Sequence, residues 1–280
     1  QQKHEAGRHL VVAEALLRGY YAQTVGRSGL VEISGHQAEV HVTTTGRRRP
    51  TASTPQASTQ AMAARMRGMR LDHVSYAAGP EGLDGTSRRL ADALGVDLVD
   101  GGVHPRFGTR NRVLPLASGH YLEVVAVLDH PVADKVPFGQ AVKARTDLGG
   151  GWLGWVVAVD DLSEVEARLG RSAVQGNRRR PDGYELMWKQ IGVKGLINDP
   201  QLPFFVCWES DPSQHPAAGG SDGVDLVRLE IAGDPQRVAE WLGEPEEHPL
   251  DDVEVDWVAP SGAPGVLAAH FRTPMGVVRL

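Results

Sequence analysis

The run LDHVSYA at residues 71–77 decides the fold, together with YLEVVAV at residues 121–127. Both runs are short and rich in residues that favour extended backbone, so each predicts a β-strand. Between them, residues 84–94 place apolar side chains on one face of a helix that Gly95 would end. The strands predicted in this stretch are residues 71–77, 96–99, 111–116 and 121–127. Their order along the chain is β-α-β-β-β.

The same order recurs in part further along the chain. A helix is predicted at residues 161–169, and residues 138–148 are predicted to form a linking helix before it. The strand candidates here are residues 152–159, Val174, residues 185–190 and residues 204–208. A third fragment, residues 226–271, has the pattern strand, helix, strand, strand. Because strands follow one another without a helix between them, the predicted class is α+β rather than doubly wound α/β.

The first 68 residues differ in composition from the rest of the chain. They carry nine Lys or Arg against four Asp or Glu, whereas residues 69–280 have a net charge of −11. The stretch 42–68 contains no acidic and no aromatic residue, which predicts disorder. The elements predicted before it are a short helix at residues 9–21 and a weak hairpin at residues 30–42. We interpret residues 1–68 as an extension outside the domain; a nucleic-acid- or membrane-binding arm and a targeting peptide are the alternatives.

Composition and charge exclude several classes of protein. Hydrophobic residues make up 41% of the chain, enough for a packed core. No run approaches the roughly 18–20 apolar residues that a membrane-spanning helix needs. The net charge of −6 disfavours general nucleic-acid binding. The single cysteine, Cys207, excludes an intramolecular disulfide scaffold and a cysteine-built zinc site, and it favours the cytoplasm as the location.

His73 in the first strand and Glu123 in the fourth are the leading candidates for a site. A carboxylate that interrupts an apolar run needs a partner or a wet cavity. Strand pairing would bring the imidazole and the carboxylate side by side, and both groups are ligands of divalent metal ions. The alternative for His73 is a hydrogen-bonded core residue.

Residues 101–111, GGVHPRFGTRN, are predicted to form a glycine-containing loop. The polar side chains that it would present are His104, Arg106, Thr109, Arg110 and Asn111. Functional residues favour such loops, and two arginines suit an anionic substrate. A plain surface loop is the alternative, and no Walker A motif is present.

The second half of the chain offers aromatic and basic candidates. Trp188 and Trp208 are predicted either to pack in the core or to line an apolar pocket. Residues 178–183, RRRPDG, are predicted to form a basic turn that is either solvated or an anion-binding lid. Cys207 has no sequence-local base, so it is predicted to be a small buried side chain and not a nucleophile.

These runs, together with RRRPDGYELMW at residues 178–188 and LPFFVCW at residues 202–208, resemble the glyoxalase-like branch of the vicinal oxygen chelate superfamily. The resemblance covers residues 71–216. It implies two βαβββ modules, about residues 70–130 and 150–210, that form a cup-shaped mixed sheet within a domain over residues 69–216. Residues 217–280 would be a C-terminal βαββ extension of the same domain.

The resemblance also implies a divalent metal, with His73 and Glu123 as its ligands; Zn, Fe, Ni and Mn are the candidates. At the corresponding positions the second module offers Trp155 and either Val206 or Cys207, so the usual four-ligand set is incomplete. His104 or a substrate chelate would have to complete the site.

Two functions follow from these expectations. One is a metal-dependent lyase, isomerase or dioxygenase acting on a small oxygenated substrate, with His104 as the general acid or base and Arg106 or Arg110 as the anion clamp. In this hypothesis the remaining substrate-binding residues are Thr109, Asn111, Tyr121, Trp188 and Trp208. The other is a non-catalytic protein that binds or sequesters a small molecule, which the missing ligands of the second module favour. A homodimer is compatible with both.

Overall fold

The computed structural model of the protein describes residues 23–25, 30–33, 36–37, 69–220, 223–245, 249–250, 252–258 and 262–280, with the backbone alone described before Arg70. The chain divides into two units, residues 1–56 and residues 57–280.

The first unit contains three short strands. They are β1 (Gln23–Val25), β2 (Leu30–Ile33) and β3 (His36–Gln37). Each pairs antiparallel with the next. The β2–β3 pair falls within the hairpin predicted over residues 30–42. The helix predicted at residues 9–21 and the disorder predicted for residues 42–68 lie outside the described residues.

The second unit is built on a closed barrel of eight strands, in the order β10-β11-β8-β4-β7-β6-β5-β9. The strands are β4 (Met69–Ala77), β5 (Val99–His104), β6 (Thr109–Pro115), β7 (Tyr121–Val127), β8 (Gly151–Val159), β9 (Val174–Arg179), β10 (Glu185–Ile191) and β11 (Phe204–Trp208). The helices are α1 (Gly82–Leu94), α2 (Pro137–Asp147), α3 (Ser163–Leu169) and α4 (Gly195–Asn198). The predicted α+β class and the two βαβββ modules are confirmed.

The two modules pair through their first strands. Within each module the first and fourth strands are parallel neighbours, β4 with β7 and β8 with β11. β4 and β8 run antiparallel side by side, with His73 opposite Val156. This arrangement brings the first and fourth strands of both modules to one side of the barrel, where their inward side chains share one interior.

Helix α1 follows the pattern read from the sequence. Leu83, Leu90 and Leu94 are buried on one face, against the barrel. Gly95 ends the helix in the left-handed conformation with a φ of 72°, and its N–H donates to the carbonyl of Ala91. In the described part of the chain, no helix combines the length and the apolar character that crossing a bilayer requires.

The segment predicted as a loop at residues 101–111 is instead most of a β-hairpin, β5 and β6. Gly102 explains the difference, because its φ of 107° and the adjoining bulge bend β5 towards β9. Val103 pairs there with Arg179, the pairing that closes the barrel. A glycine-rich run can therefore pair as a strand, since close backbone approach is what it allows.

A second sheet follows the barrel, in the order β13-β12-β14-β15. Its elements are β12 (Asp225–Ala232), α5 (Pro235–Leu242), β13 (Glu254–Val258), β14 (Gly265–Thr273) and β15 (Gly276–Arg279). β15 was not predicted from the sequence. Trp152 of the barrel stacks on Phe271 of this sheet with ring centroids 6.5 Å apart, so an apolar interface joins the two sheets.

Candidate active site

A pocket of about 430 Å³, its open mouth included, lies inside the barrel. Its lining residues are His73, His104, Phe107, Tyr121, Glu123, Phe138, Arg178, Trp188, Gln190, Phe204, Val206 and Trp208. A few polar groups thus face one another within a mostly aromatic wall, the usual composition of a small-molecule site.

A β-bulge prepares one end of this site. In the β4–β8 ladder, Leu71 is opposite Val157 and His73 is opposite Val156, so Asp72 is the extra residue. The bulge turns the Asp72 carboxylate towards its neighbour, and Oδ2 lies 2.7 Å from Nδ1 of His73. Regular alternation would have put these two side chains on opposite faces of the sheet.

Asp72 is a buried carboxylate that accepts three hydrogen bonds. Besides His73, the donors are Nε1 of Trp208 and Nε2 of His215, both 2.9 Å from Oδ1. Burial alone would raise the pKa of the Asp72 carboxyl, but the hydrogen bonds from His215 and His73 hold it well below its usual range. An ionised carboxylate only accepts, so His73 carries a proton on Nδ1, and in the neutral ring the lone pair is on Nε2.

Glu123 lies at the centre of the polar groups and is 4% exposed. Its Oε2 accepts from Oγ of Ser75 and its Oε1 from Nδ2 of Asn111, each at 2.7 Å. Nε2 of His73 is 3.8 Å from Oε2, and Nε2 of His104 is 3.8 Å from Oε1. Burial raises the pKa of Glu123, yet the two histidines and the two hydrogen bonds outweigh it and lower the pKa overall. The carboxylate is therefore ionised between two imidazoles.

His104 faces Glu123 from the end of β5. Its Nδ1 is hydrogen-bonded to Oγ1 of Thr109 at 3.0 Å, which leaves Nε2 directed at the carboxylate. Burial is the main cause that lowers the pKa of His104 to about 4, against the opposing charge of Glu123. At neutral pH the ring is uncharged, the form that can bind a metal ion or accept a proton.

Tyr121 and the two predicted tryptophans also line the pocket. The Tyr121 ring stacks on His73 with centroids 4.3 Å apart. Trp188 and Trp208 are neighbours, with centroids 5.4 Å apart, and Nε1 of Trp188 donates to Oε1 of Gln190. These rings form a wall that limits water around Glu123.

The two arginines predicted as anion clamps lie elsewhere. Arg110 alternates with the buried Thr109 and Asn111 along β6, so it leaves the barrel and meets Asp100 at 3.4 Å on the outside. Arg106 is exposed in the turn between β5 and β6 and lines a neighbouring cleft, which shares Phe107 with the pocket. Neither arginine is among the residues that line the pocket, because a strand pair replaces the expected loop.

Arg178 supplies the cation of the pocket instead. The predicted basic turn begins two residues too early, since Arg178 and Arg179 are the last residues of β9. Arg178 is 4% exposed and points into the pocket, whereas Arg179 is exposed. Burial does not alternate along β9, since Gly176, Asn177 and Arg178 are all buried, and three consecutive arginines in the sequence favoured a solvated turn.

Strands β8 and β11 of the second module contribute an apolar side to the pocket, whereas β9 of the same module supplies Arg178. Val156 stands opposite His73, and Phe204 and Val206 face the same interior. Trp155, expected near the ligand position, is directed to the opposite side of the sheet, where its Nε1 donates to the carbonyl of Gln201. Side chains alternate along the strand, so Val156, and not Trp155, stands opposite His73. Valine has no group that binds a metal ion.

The described part of the chain contains no group of three or more His, Cys, Asp or Glu side chains preassembled as a metal-ion site. His73, His104 and Glu123 lie together in the pocket, with Nε2 of each imidazole 3.8 Å from a Glu123 oxygen. Their donor types fit a divalent ion, two imidazole nitrogens and a carboxylate. Asp72 and Thr109 fix the two rings through Nδ1, the supporting pattern that metal-binding histidines use.

Known proteins resemble this chain in sequence pattern and in fold. The pattern of the glyoxalase-like domain matches residues 71–245, and no curated protein matches the chain. A hypothetical protein from Staphylococcus aureus is 15% identical over 75% of this chain and 85% of its own, with a TM-score of 0.49. Methylmalonyl-CoA epimerase from Mycobacterium tuberculosis is 20% identical over 51% of this chain and 89% of its own, with a TM-score of 0.34.

A third solved structure is the Streptomyces coelicolor methylmalonyl-CoA epimerase in complex with 2-nitronate-propionyl-CoA. It is 16% identical over 50% of this chain and 96% of its own, with a TM-score of 0.33. The family match covers most of the barrel and continues into the second sheet. The chain therefore belongs to the glyoxalase-like domain family, within the vicinal oxygen chelate superfamily.

Proposed function

We propose that this protein is a metal-dependent enzyme that acts on a small oxygenated substrate inside the barrel. The observation that carries the proposal is the buried carboxylate of Glu123, with Nε2 of His73 and Nε2 of His104 each 3.8 Å from one of its oxygens. Burying an ionised carboxylate costs free energy. Its position in a pocket, and not in the packed core, supports a role in chemistry.

Neighbouring side chains hold each metal-ligating group in position. Asp72 keeps the proton of His73 on Nδ1, so that Nε2 is available towards the pocket. Ser75 and Asn111 hold the two oxygens of Glu123 in place. An ion bound by these donors would supply Lewis-acid chemistry, stabilising negative charge on a substrate oxygen. A lyase, an isomerase and a dioxygenase all use this chemistry.

His104 has one of two roles in this proposal. As a third ligand, it would complete two imidazoles and one carboxylate and leave other positions for the substrate. As the general acid or base, it would exchange a proton with the substrate through Nε2, for which its uncharged ring is suited. A His104→Gln variant separates the two, since only a ligand variant loses metal.

Elemental analysis tests the proposal. Protein purified without a chelator and without a metal-binding tag is expected to hold a single divalent ion per chain, and His73→Ala and Glu123→Gln are expected to lose it. His130→Ala is the matched control, because His130 is exposed and outside the pocket. Metal that stays in both site variants, or that is absent even after reconstitution, would overturn the proposal.

The apolar side of the pocket supports a second candidate, a protein that binds a small molecule without converting it. Val156, Phe204 and Val206 give that side no group for chemistry. This candidate predicts tight retention of an intact ligand by protein that holds no metal. Mass spectrometry of the purified protein under native conditions measures such retention.

The cytoplasm and a homodimer are further parts of this proposal. The single cysteine supports a reducing compartment. Cell fractionation tests the location, and light scattering on the purified protein tests the dimer.

A further inference from the structure

Arg178 is a buried cation whose side chain ends inside the pocket. Its residue is 4% exposed, and its Nε has no hydrogen-bond partner among the described residues. A guanidinium normally satisfies its donors with carboxylates, carbonyls or water. A cation that is desolvated and unsatisfied destabilises the folded protein, so its presence needs a reason.

The side-chain acceptors around the guanidinium each accept a hydrogen bond from a group other than Arg178. Both oxygens of Glu123 accept from Ser75 and Asn111. The Asp72 oxygens accept from the imidazoles and indole around them. The amide oxygen of Gln190 accepts from Trp188. Arg178 takes part in none of these hydrogen bonds, so its guanidinium has no acceptor among them.

The electrostatics of Arg178 also favour a negatively charged guest. Burial lowers the pKa of Arg178, while Tyr121 and Glu123 oppose that effect. No carboxylate among the described residues comes within ion-pair distance of the guanidinium in the pocket, so attraction at longer range is its only compensation. A guest that brought its own negative charge would satisfy the guanidinium.

We infer that Arg178 binds the carboxylate of the substrate, which makes the substrate a small carboxylic acid with a further oxygen on the neighbouring carbon. This inference rests on the proposed function, because the further oxygen is the one directed at the His73 and Glu123 end of the pocket. The planar fork of arginine matches a carboxylate through two parallel hydrogen bonds. Trp188 and Phe204, on the aromatic wall of the same pocket, would contact the carbon atoms of such a substrate.

Oxamate and oxamide are the probes that test the inference. Both have two adjacent oxygens and nearly the same shape, but only oxamate carries a carboxylate. By titration calorimetry, the parent protein is expected to bind oxamate at least roughly tenfold more tightly than oxamide. Arg178→Gln is expected to lose that preference, and Arg178→Lys to keep part of it. Arg179→Gln is the matched control, since Arg179 is the adjacent residue and is exposed.

A second readout separates binding from a structural role. If Arg178 is retained for a ligand, removing the unsatisfied charge in Arg178→Met should raise the melting temperature of the ligand-free protein. A structural role predicts a fall. An unchanged preference for oxamate in Arg178→Gln, or a fall in melting temperature for Arg178→Met, overturns the inference.

The probes also distinguish the kind of anion and the two proposals. Inorganic phosphate that displaces oxamate at lower concentration would overturn the assignment of a carboxylate. Metal content is measured on the same samples: Arg178→Gln should keep the ion that His73→Ala loses. If the parent protein holds no metal and Arg178→Gln still loses the preference for oxamate, the inference stands and the proposed function is refuted.

Discussion

Replacing Gly102 with alanine should open the barrel. Gly102 has a φ of 107°. A Cβ added there would overlap the carbonyl oxygen of Arg179, and it would lie 2.8 Å from the carbonyl carbon of Arg179 and 2.9 Å from Cα of Arg180. Only the pairing of Val103 with Arg179 joins β5 to β9. Because the overlapping atoms belong to the backbone, β9 must move. That movement would take Arg178 away from the pocket.

The cost has two parts. Placing alanine at a left-handed φ costs about 1–2 kcal/mol, of which about 0.4–1 kcal/mol is offset by the lower entropy of the unfolded chain. Separating the strands at their single pair loses up to two backbone hydrogen bonds, at about 1 kcal/mol each. Gly102→Ala should therefore lower the free energy of unfolding by about 3 kcal/mol. Urea unfolding followed by tryptophan fluorescence measures it, with an unchanged m-value expected.

Gly119→Ala is the control for this experiment. Gly119 also has a positive φ, 84°, but nothing lies within 4 Å of an added Cβ. Its variant should lose only about 1 kcal/mol, the net backbone cost. Equal losses in the two variants would refute the argument, since the approach of Gly102 to β9 would then contribute nothing to stability.

Three further variants each replace one carboxylate. Asp234→Ala removes the side chain that caps α5 and should lower the free energy of unfolding by about 1 kcal/mol in urea. Glu230 binds His270 and Arg279, which lowers its pKa to about 2, so it stabilises the fold above pH 4.5 and loses this effect as the pH falls towards 2. Glu230→Gln should therefore remove about 1 kcal/mol, after screening, from the fall in the free energy of unfolding over that pH range, measured by urea unfolding at several pH values; an unchanged fall would contradict this. Asp72→Asn leaves three donors facing an amide and should cost about 2–3 kcal/mol in urea unfolding.

The fold was readable from the sequence where a strand or helix carries its own local signal. Residues 121–127 form β7 as predicted, and α1 ends at the predicted glycine. The hairpin of β5 and β6 was missed because its pairing depends on an approach to β9, more than seventy residues away in sequence. Local patterns contain no information on such an approach, so Gly102 suggested a loop.

The site was readable in outline for similar reasons. Strand periodicity alone suggested that His73 and Glu123 would meet, and the structure brings both into one pocket; their roles remain predictions. Asp72 was missed because a bulge breaks the periodicity on which such predictions depend. Arg178 was assigned to a basic turn, and its burial was missed because that burial follows from the closure of the barrel.

The two modules share one architecture but divide the work of the pocket. The first supplies the hydrogen-bonded charge of Glu123, and the second supplies the guanidinium of Arg178 together with the apolar side chains of Val156 and Phe204. An interaction between charges strengthens as the surroundings become less polar. The apolar side therefore increases the effect of both Glu123 and Arg178 on a bound anion. Replacing Val206 with a carboxylate would add a metal ligand to the pocket but weaken this effect, because it would bring water and a repelling charge into the pocket.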